Sequence, residues 1–411
     1  MPYTQLNNLD FTEIKEALKD YMRAQSDFTD YDFEASALSQ LLDVLAYNTY
    51  YTAFNTNMVV NEMFLDSATL RDNVVALAKQ LGYAPKSVTA PVAVVNFDIS
   101  FPGLAPASVI FKAGTGFVTN YDNILYRYVL KEDRKVEVAN GVAAFTDVEL
   151  YEGSLVTTRT PVSSALKDQR FKIENASVDL NTLIIRIFES NTSSVFTEYK
   201  KSSSILDIGA EDKIYFVNET EDENYEIFFG DGVLGKKLED GQVVEMTYIS
   251  TRGADSNGAK SFTFNGRLQD ENETPLTISF TPQNITTVAK SSGGAEIESI
   301  AKIKYNAPKF YASQNRAVTA NDFKAIVRNL YPSISDIIVF GGEDQVPPAY
   351  GKVFIAIKPT EANTLSSFTK NSLTEELKKY TVASIRPEFV DPSILYVEMT
   401  SKIYFDGTKT N

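Results

Sequence analysis

The chain of 411 residues contains no cysteine, no histidine and no tryptophan. Without cysteine it can form no disulfide and no thiolate nucleophile; without histidine it has no imidazole base and none of the common zinc sites. A Ser-His-Asp hydrolase cannot be built from this alphabet. Positive charge is scarce too. Against 54 acidic residues stand 39 basic ones, a net charge of −15, and no cluster of Lys and Arg rises above the background. This argues against nucleic-acid binding driven by phosphate neutralisation. No apolar run approaches the roughly 18 residues needed to cross a bilayer. The first residues, MPYTQLNNLDFTEIKEALKD, lack the basic-then-apolar order of a secretory signal. The expectation is a soluble protein made in the cytoplasm, without membrane insertion and with no residue pattern that calls for a cofactor; carboxylate, lysine or tyrosine chemistry and an oxygen-ligated metal stay possible in principle.

What is present is ample material for packed cores. Hydrophobic residues make up 43% of the chain, enough at this length for several domains. Residues 1–88 read as helical. Asp10 and Glu13 resemble a capping box ahead of Phe11, Ile14, Leu18 and Tyr21. The most strongly patterned stretch is 31–83. There Leu38, Leu41, Leu42, Leu45 and Thr49 recur at spacings of three and four on one side of a helix. Tyr47, Tyr50, Tyr51 and Phe54 extend that side further than a single core stripe requires. A further helix is expected to open at a capping Ser67, to bury Leu70, Val74, Leu77 and Leu81, and to stop at Gly82 and Pro85.

From Pro91 the period changes to two. Ala93, Val95, Phe97, Ile99 and Phe101 alternate with Val92, Val94, Asn96 and Asp98 as in a strand with one more deeply buried face. Short strands are expected at 109–118 (with a Gly turn), 124–130, 142–150, 183–188 and 213–217, a β-sandwich or a pair of small sheets. Gly230, Gly232 and Gly235 satisfy G-x-G-x-x-G, but Lys-Lys-Leu-Glu-Asp-Gly and a second strand follow where a nucleotide loop needs a helix. A turn is the better reading. Asp255 and Asn257 have the oxygen chemistry of calcium ligands without the terminal bidentate Glu of an EF-hand, so a plain turn is expected there too. The acids of 219–226 lie in an exposed, turn-like setting unsuited to paired-carboxylate catalysis.

After the SSGG joint at 291–294 the pattern is mixed. Helices are expected at 296–306, at 319–330 with Thr319 and Asp322 as cap, and near 369–380; strands at 334–340, 353–358 and 394–405. Two helices on one side of a small antiparallel sheet give a ferredoxin-like layer arrangement. The whole reads as an α+β multidomain protein: a helical segment (1–88), a β-rich, sandwich-like middle (89–290) and a small C-terminal α/β domain (291–411).

Three blocks together resemble the baseplate J-like family of contractile-tailed phages, most nearly the large wedge proteins of the T-even type. They are 30–87 (with YDFEASALSQLLDVLAYNTYY and LRDNVVALAKQLGYAPKS), FFGDG at 228–232 running to the segment ending at Gly258, and QNRAVTANDFKAIV at 314–327 continued by YGKVFIAIKP at 350–359 and Arg386-Pro387. The resemblance implies a structural component of the tail baseplate wedge, assembled in the host cytoplasm. It would form the inner ring around the hub and couple baseplate rearrangement to sheath contraction. Implied partners are a second copy of the chain, an elongated wedge protein packed through the N-terminal helices, and other wedge and central hub proteins. It also implies a dimer-forming region beyond residue 411, so that the chain is either a short relative or truncated. Leu38, Leu41, Leu45, Tyr47, Tyr50, Tyr51 and Phe54 are the candidate partner-interface residues. A tail adhesin binding host surface glycan through the β-rich middle is the alternative.

Overall fold

The computed structural model describes residues 10–24 and 36–393, apart from 102, 104, 164–168, 203–207, 221–222, 267, 271–273, 277–281, 314–315, 332–333, 346, 360–363, 366 and 383–384. The strand expected at 394–405 lies outside the described residues, as do Tyr31 and Phe33. The chain forms two compact units, each from three separate stretches: 1–89, 156–251 and 296–314 in the first, 90–155, 252–295 and 315–411 in the second. The middle region 89–290 thus supplies strands to both.

The first unit opens with α1 (Phe11–Arg23), capped by Asp10, whose carboxylate accepts the amides of Thr12 and Glu13. The long α2 (Ala37–Glu62) follows, capped by Ser36. The third helix, α3, spans Arg71–Gln80, four residues later than Ser67 would start it. Ser67 is not its cap. The Ser67 hydroxyl donates back to the carbonyl of Asn61, and the Glu62 carboxylate at the end of α2 accepts the amides of Thr69 and Leu70 just ahead of α3, whose own first turn has no side-chain cap among the described residues. Burial on α3 falls on Val74, Val75 and Ala78, while Leu70 is exposed. Gly82, at φ +77°, ends it with a Tyr83 amide to Ala78 carbonyl bond of 3.0 Å, the geometry that a left-handed C-terminal residue permits.

Val74, Val75, Ala78 and Tyr83 share a core with Ile303 and Ala307 of α4 (Ile300–Ser313). The helix expected at 296–306 begins before α4 and ends short of it, since α4 runs on through Pro308, a residue that ordinarily ends a helix. Here Pro308 lies on the exposed side, and half-buried Phe310 continues the packed face beyond it. The rest of the unit is a seven-stranded sheet. It comprises β7 (Ser154–Pro161), β8 (Arg170–Ile173), β9 (Val178–Phe188), β10 (Phe196–Lys201), β11 (Ile214–Glu219), β12 (Tyr225–Phe229) and β13 (Val243–Ser250), in the order β7-β13-β9-β10-β11-β12-β8. Val156 of one edge strand and Phe171 of the other pack into the same core, so the sheet curls around it.

The second unit holds β1 (Val92–Ser100), β2 (Ser108–Phe111), β3 (Gly116–Tyr121), β4 (Ile124–Val129), β5 (Arg134–Glu137), β6 (Val142–Glu152), β14 (Thr263–Phe264), β15 (Gln269–Asp270) and β16 (Gln283–Ser292). A six-stranded sheet, β14-β3-β4-β6-β1-β16, faces a three-stranded one, β15-β2-β5. Phe97, Phe117 and Phe145 of the larger sheet meet Phe111 of the smaller with centroids 4.8–6.4 Å apart. The alternation read from 93 to 101 is the inward face of β1: Ala93, Val95, Phe97, Ile99 and Phe101 are all buried.

The same unit carries α5 (Ala320–Leu330), β17 (Ile334–Gly341), β18 (Lys352–Pro359), α6 (Ser367–Leu377) and β19 (Arg386–Val390). Thr319 and Asp322 close a capping box on α5. Both helices cover the sheet face made by Ile337, Val339, Ile355 and Ile357. The sheet is mixed, however. β17 and β18 form an antiparallel hairpin, whereas β18 and β19 run parallel and adjacent, joined through α6. The expected antiparallel, ferredoxin-like sheet alternates strand direction; a helical crossover between neighbouring strands produces the parallel pair seen here.

Candidate functional site

Helix α2 has two faces of opposite character. Its buried residues are Ser39, Leu42, Ala46, Ala53, Asn57 and Asn61, mostly small or polar. Small side chains let a helix approach a neighbour closely, and α1 lies against α2, with Lys15 paired to Asp43 at 2.6 Å. The large apolar side chains point away. Val44, Tyr47, Tyr51, Phe54 and Met58 follow one another at alternating spacings of three and four, the repeat of a helix–helix seam. All are exposed, from 37% for Met58 to 64% for Val44.

Of the seven candidates taken from the sequence, Leu41, Leu45, Tyr47, Tyr51 and Phe54 are exposed, and Leu38 and Tyr50 are half-buried. Leu42, grouped with them, is the exception and belongs to the buried side. Tyr47 and Tyr51 lie edge to face, centroids 4.6 Å apart, with their hydroxyls hydrogen-bonded at 2.9 Å. Tyr50 sits edge-on to Tyr51 at 5.9 Å. The hydroxyl bond to Tyr51 raises the pKa of Tyr47 above its ordinary value. The rings are thereby held in place before any partner arrives. Val44, Met58, Val59, Met63 and Phe64 extend the exposed apolar surface and were not singled out from sequence. The seam spacing from Val44 to Met58 is the signal that reveals the first two.

The other motifs resolve into structural roles. In the glycine-rich segment, Asp231 accepts the amides of Val233 and Leu234, and Gly232 donates to the carbonyl of Gly235. A Cβ at Gly230 would overlap the backbone of Gly235, and Gly232 and Gly235 both have positive φ. The loop joins two strands. The Asn257 side chain donates to the carbonyl of Gly294 at 2.9 Å and accepts its amide at 3.0 Å, a reciprocal clamp. Among the described residues no group of three His, Cys, Asp or Glu is placed to hold a metal. Glu219 is paired with Arg71 at 2.6 Å, and Glu226 with Arg170 at 2.8 Å.

Three domain models of one protein match the chain in order. They are the helical domain of the gp6-like baseplate wedge proteins over residues 10–83, the third domain of the bacteriophage baseplate wedge protein gp6 over 160–255, and C-terminal domain I of the baseplate structural protein gp6 over 319–390. The chain is 28% identical over 419 aligned positions to the baseplate wedge protein gp6 of Enterobacteria phage T4. That alignment covers 96% of this chain and 60% of the relative, so the chain spans about three fifths of that protein's length. Among solved structures, a chain of the anti-feeding prophage baseplate aligns over 95% of this chain and 80% of its own (13% identity, TM-score 0.32). A chain of the type VI secretion TssK-TssF-TssG baseplate subcomplex aligns over 88% and 99% (8% identity, TM-score 0.38). The three domain matches and the likeness to the T4 protein together support a T4-like baseplate wedge protein, a structural component of a phage baseplate.

Proposed function

We propose that the exposed face of α2 is an assembly surface, on which an elongated wedge protein and a second copy of this chain pack during construction of the baseplate wedge. The observation that carries this is the row Val44, Tyr47, Tyr51, Phe54 and Met58, an apolar seam at coiled-coil spacing left in water. Such a face loses free energy until a neighbour covers it. In the assembled tail the chain would belong to the inner ring around the hub. Its change of neighbours would couple baseplate rearrangement to sheath contraction. The match to the helical domain of baseplate wedge proteins and the likeness to the T4 wedge protein support the baseplate setting.

Replacing Tyr47, Tyr50 and Phe54 together by Ser tests the surface. Co-expression with the other tail proteins of the same virus, followed by light scattering, is expected to give a complex with the wild-type chain and none with the variant. Circular dichroism of the variant should keep the β-sheet signal. A variant that still co-purifies with its partner would remove α2 from the interface.

A further inference from the structure

Within the first unit a cavity of about 590 Å³ opens between α3 and the β8 end of the seven-stranded sheet. Charged side chains line both walls: Asp72 and Lys79 on the helix, and Lys172 of β8, Glu219 at the end of β11 and Glu226 of β12 on the sheet. The two glutamates are already engaged. Arg71 holds Glu219 at 2.6 Å and Arg170 holds Glu226 at 2.8 Å. Asp72 stands in the first turn of α3, where free backbone amides favour an anion, and about 10 Å of helix separates it from Lys79. The lysines have no such counterpart. Lys172 stands opposite Glu226 in the β8–β12 ladder, yet that carboxylate bonds Arg170 instead. Among the described residues no carboxylate forms an ion pair with Lys79 or Lys172, and the Lys79 amine makes a single 3.4 Å bond to the Glu219 carbonyl.

We propose that this cavity binds a small dianionic oxyanion, a phosphate group or a dicarboxylate, gripped by Lys79 from the helix and Lys172 from the sheet. Charge decides the sign of the ligand. A cation entering the cavity would have to displace Arg71 from Glu219 or Arg170 from Glu226, whereas an anion meets two ammonium groups that lack a counterion. Burial pushes the pKa of Lys79 down while the Glu219 charge pulls it up, so its ammonium is held at a cost that an adjacent anion offsets through charge-assisted bonds. The volume is that of a small-molecule site, roughly 300–1,000 Å³. An anion so placed ties α3 to the edge strand β8, and by binding only the folded chain it stabilises the first unit in proportion to its saturation.

The test uses the full chain, with sodium phosphate and sodium succinate as probes and sodium chloride at matched ionic strength as the reference. Titration calorimetry should show one saturable site. Binding of phosphate alone assigns a phosphoryl ligand, of succinate alone a dicarboxylate, and of both the charge that they share. Acylation of amines by acetic anhydride, read by peptide mass spectrometry, should find Lys79 and Lys172 protected by the bound probe and the exposed Lys378 unprotected. Lys79→Gln with Lys172→Gln should weaken binding roughly tenfold or more, since two charge-assisted contacts are lost. Its melting temperature in chloride alone should stay close to that of the wild type, which separates lost binding from lost folding. Binding undiminished in the double variant, protection spread evenly over the surface lysines, or neither heat nor protection from either probe would each overturn the proposal.

Discussion

Two buried or half-buried charges decide how the helical part of the first unit responds to pH. The Glu62 carboxylate accepts the amides of Thr69 and Leu70, the Thr69 hydroxyl and the Asn73 side chain. Burial works against its ionisation, yet these bonds outweigh burial and hold the pKa down at about 2, from an ordinary 4.5. A carboxyl depressed on folding stabilises the fold above 4.5, and that contribution is lost as pH falls toward 2. Glu62→Gln should therefore lower the melting temperature at pH 7, and the gap to wild type should close between pH 4.5 and 2; scanning calorimetry across that range measures it. Lys86 goes the other way. Burial, opposed by Glu298 and reinforced by Lys302, lowers it from 10.5 to about 8. The fold thus prefers the neutral amine, so the cost of the charge is full below pH 8 and fades as pH rises toward 10.5. Tyr83, bonded to Glu298 at 2.7 Å, is pushed up by burial and stays protonated through that window. Lys86→Met should melt higher than wild type at pH 7 and lose most of that advantage by pH 10.

At the scale of elements, α2 shows how a sequence pattern can be read and still leave the inside unidentified. Its 3–4 periodicity and its excess of aromatics were legible, and so was their candidacy for a partner surface. The buried side was not. Hydrophobicity singles out Leu41, Leu45 and Tyr47, whereas the buried side is lined by Ser39, Ala46, Ala53 and Asn57. Small and polar residues give no hydropathy signal, and their suitability for close helix approach appears only when the neighbour is present. Leu42 and Leu45 separate the two sides experimentally. Leu42→Ala removes a buried side chain and should cost about 2 kcal/mol or more, while Leu45→Ser at an exposed site should stay within about 0.5 kcal/mol. Urea unfolding followed by helical ellipticity discriminates them; equal losses would place Leu45 in a core. Other elements were more transparent. The set read as the buried face of the first strand, Ala93, Val95, Phe97, Ile99 and Phe101, is buried throughout, with Val94 buried beside it, and the Thr319/Asp322 cap of α5 depends on local spacing alone. The length of α4 was opaque because it is settled by the packing of Ile303, Ala307 and Phe310 against residues of α3 far away in sequence.

For the whole molecule, linear order is a poor guide to partition. β1 pairs with β16 nearly two hundred residues later, and β3 with β14, so each unit collects pieces that composition assigns to one continuous middle region. Charge, by contrast, is a whole-chain property that sequence states directly, and it decides how the proposed α2 contact responds to salt. Between Ala37 and Glu62 there is no Lys or Arg, and Asp43 and Glu62 are the sole acids. Asp43 is already paired with Lys15, and Glu62 is bonded to Thr69, Leu70 and Asn73. An interface on α2 therefore has little Coulombic attraction to lose, and screening the −15 charge removes repulsion from an acidic neighbour. At roughly 0.5 M salt the Debye length is only a few Å, and burial of an apolar seam is not weakened by such screening. The complex with the elongated wedge protein should then survive gel filtration in high salt undiminished. Its dissociation in salt would mean that charge, and not the seam from Val44 to Met58, holds the wedge partner.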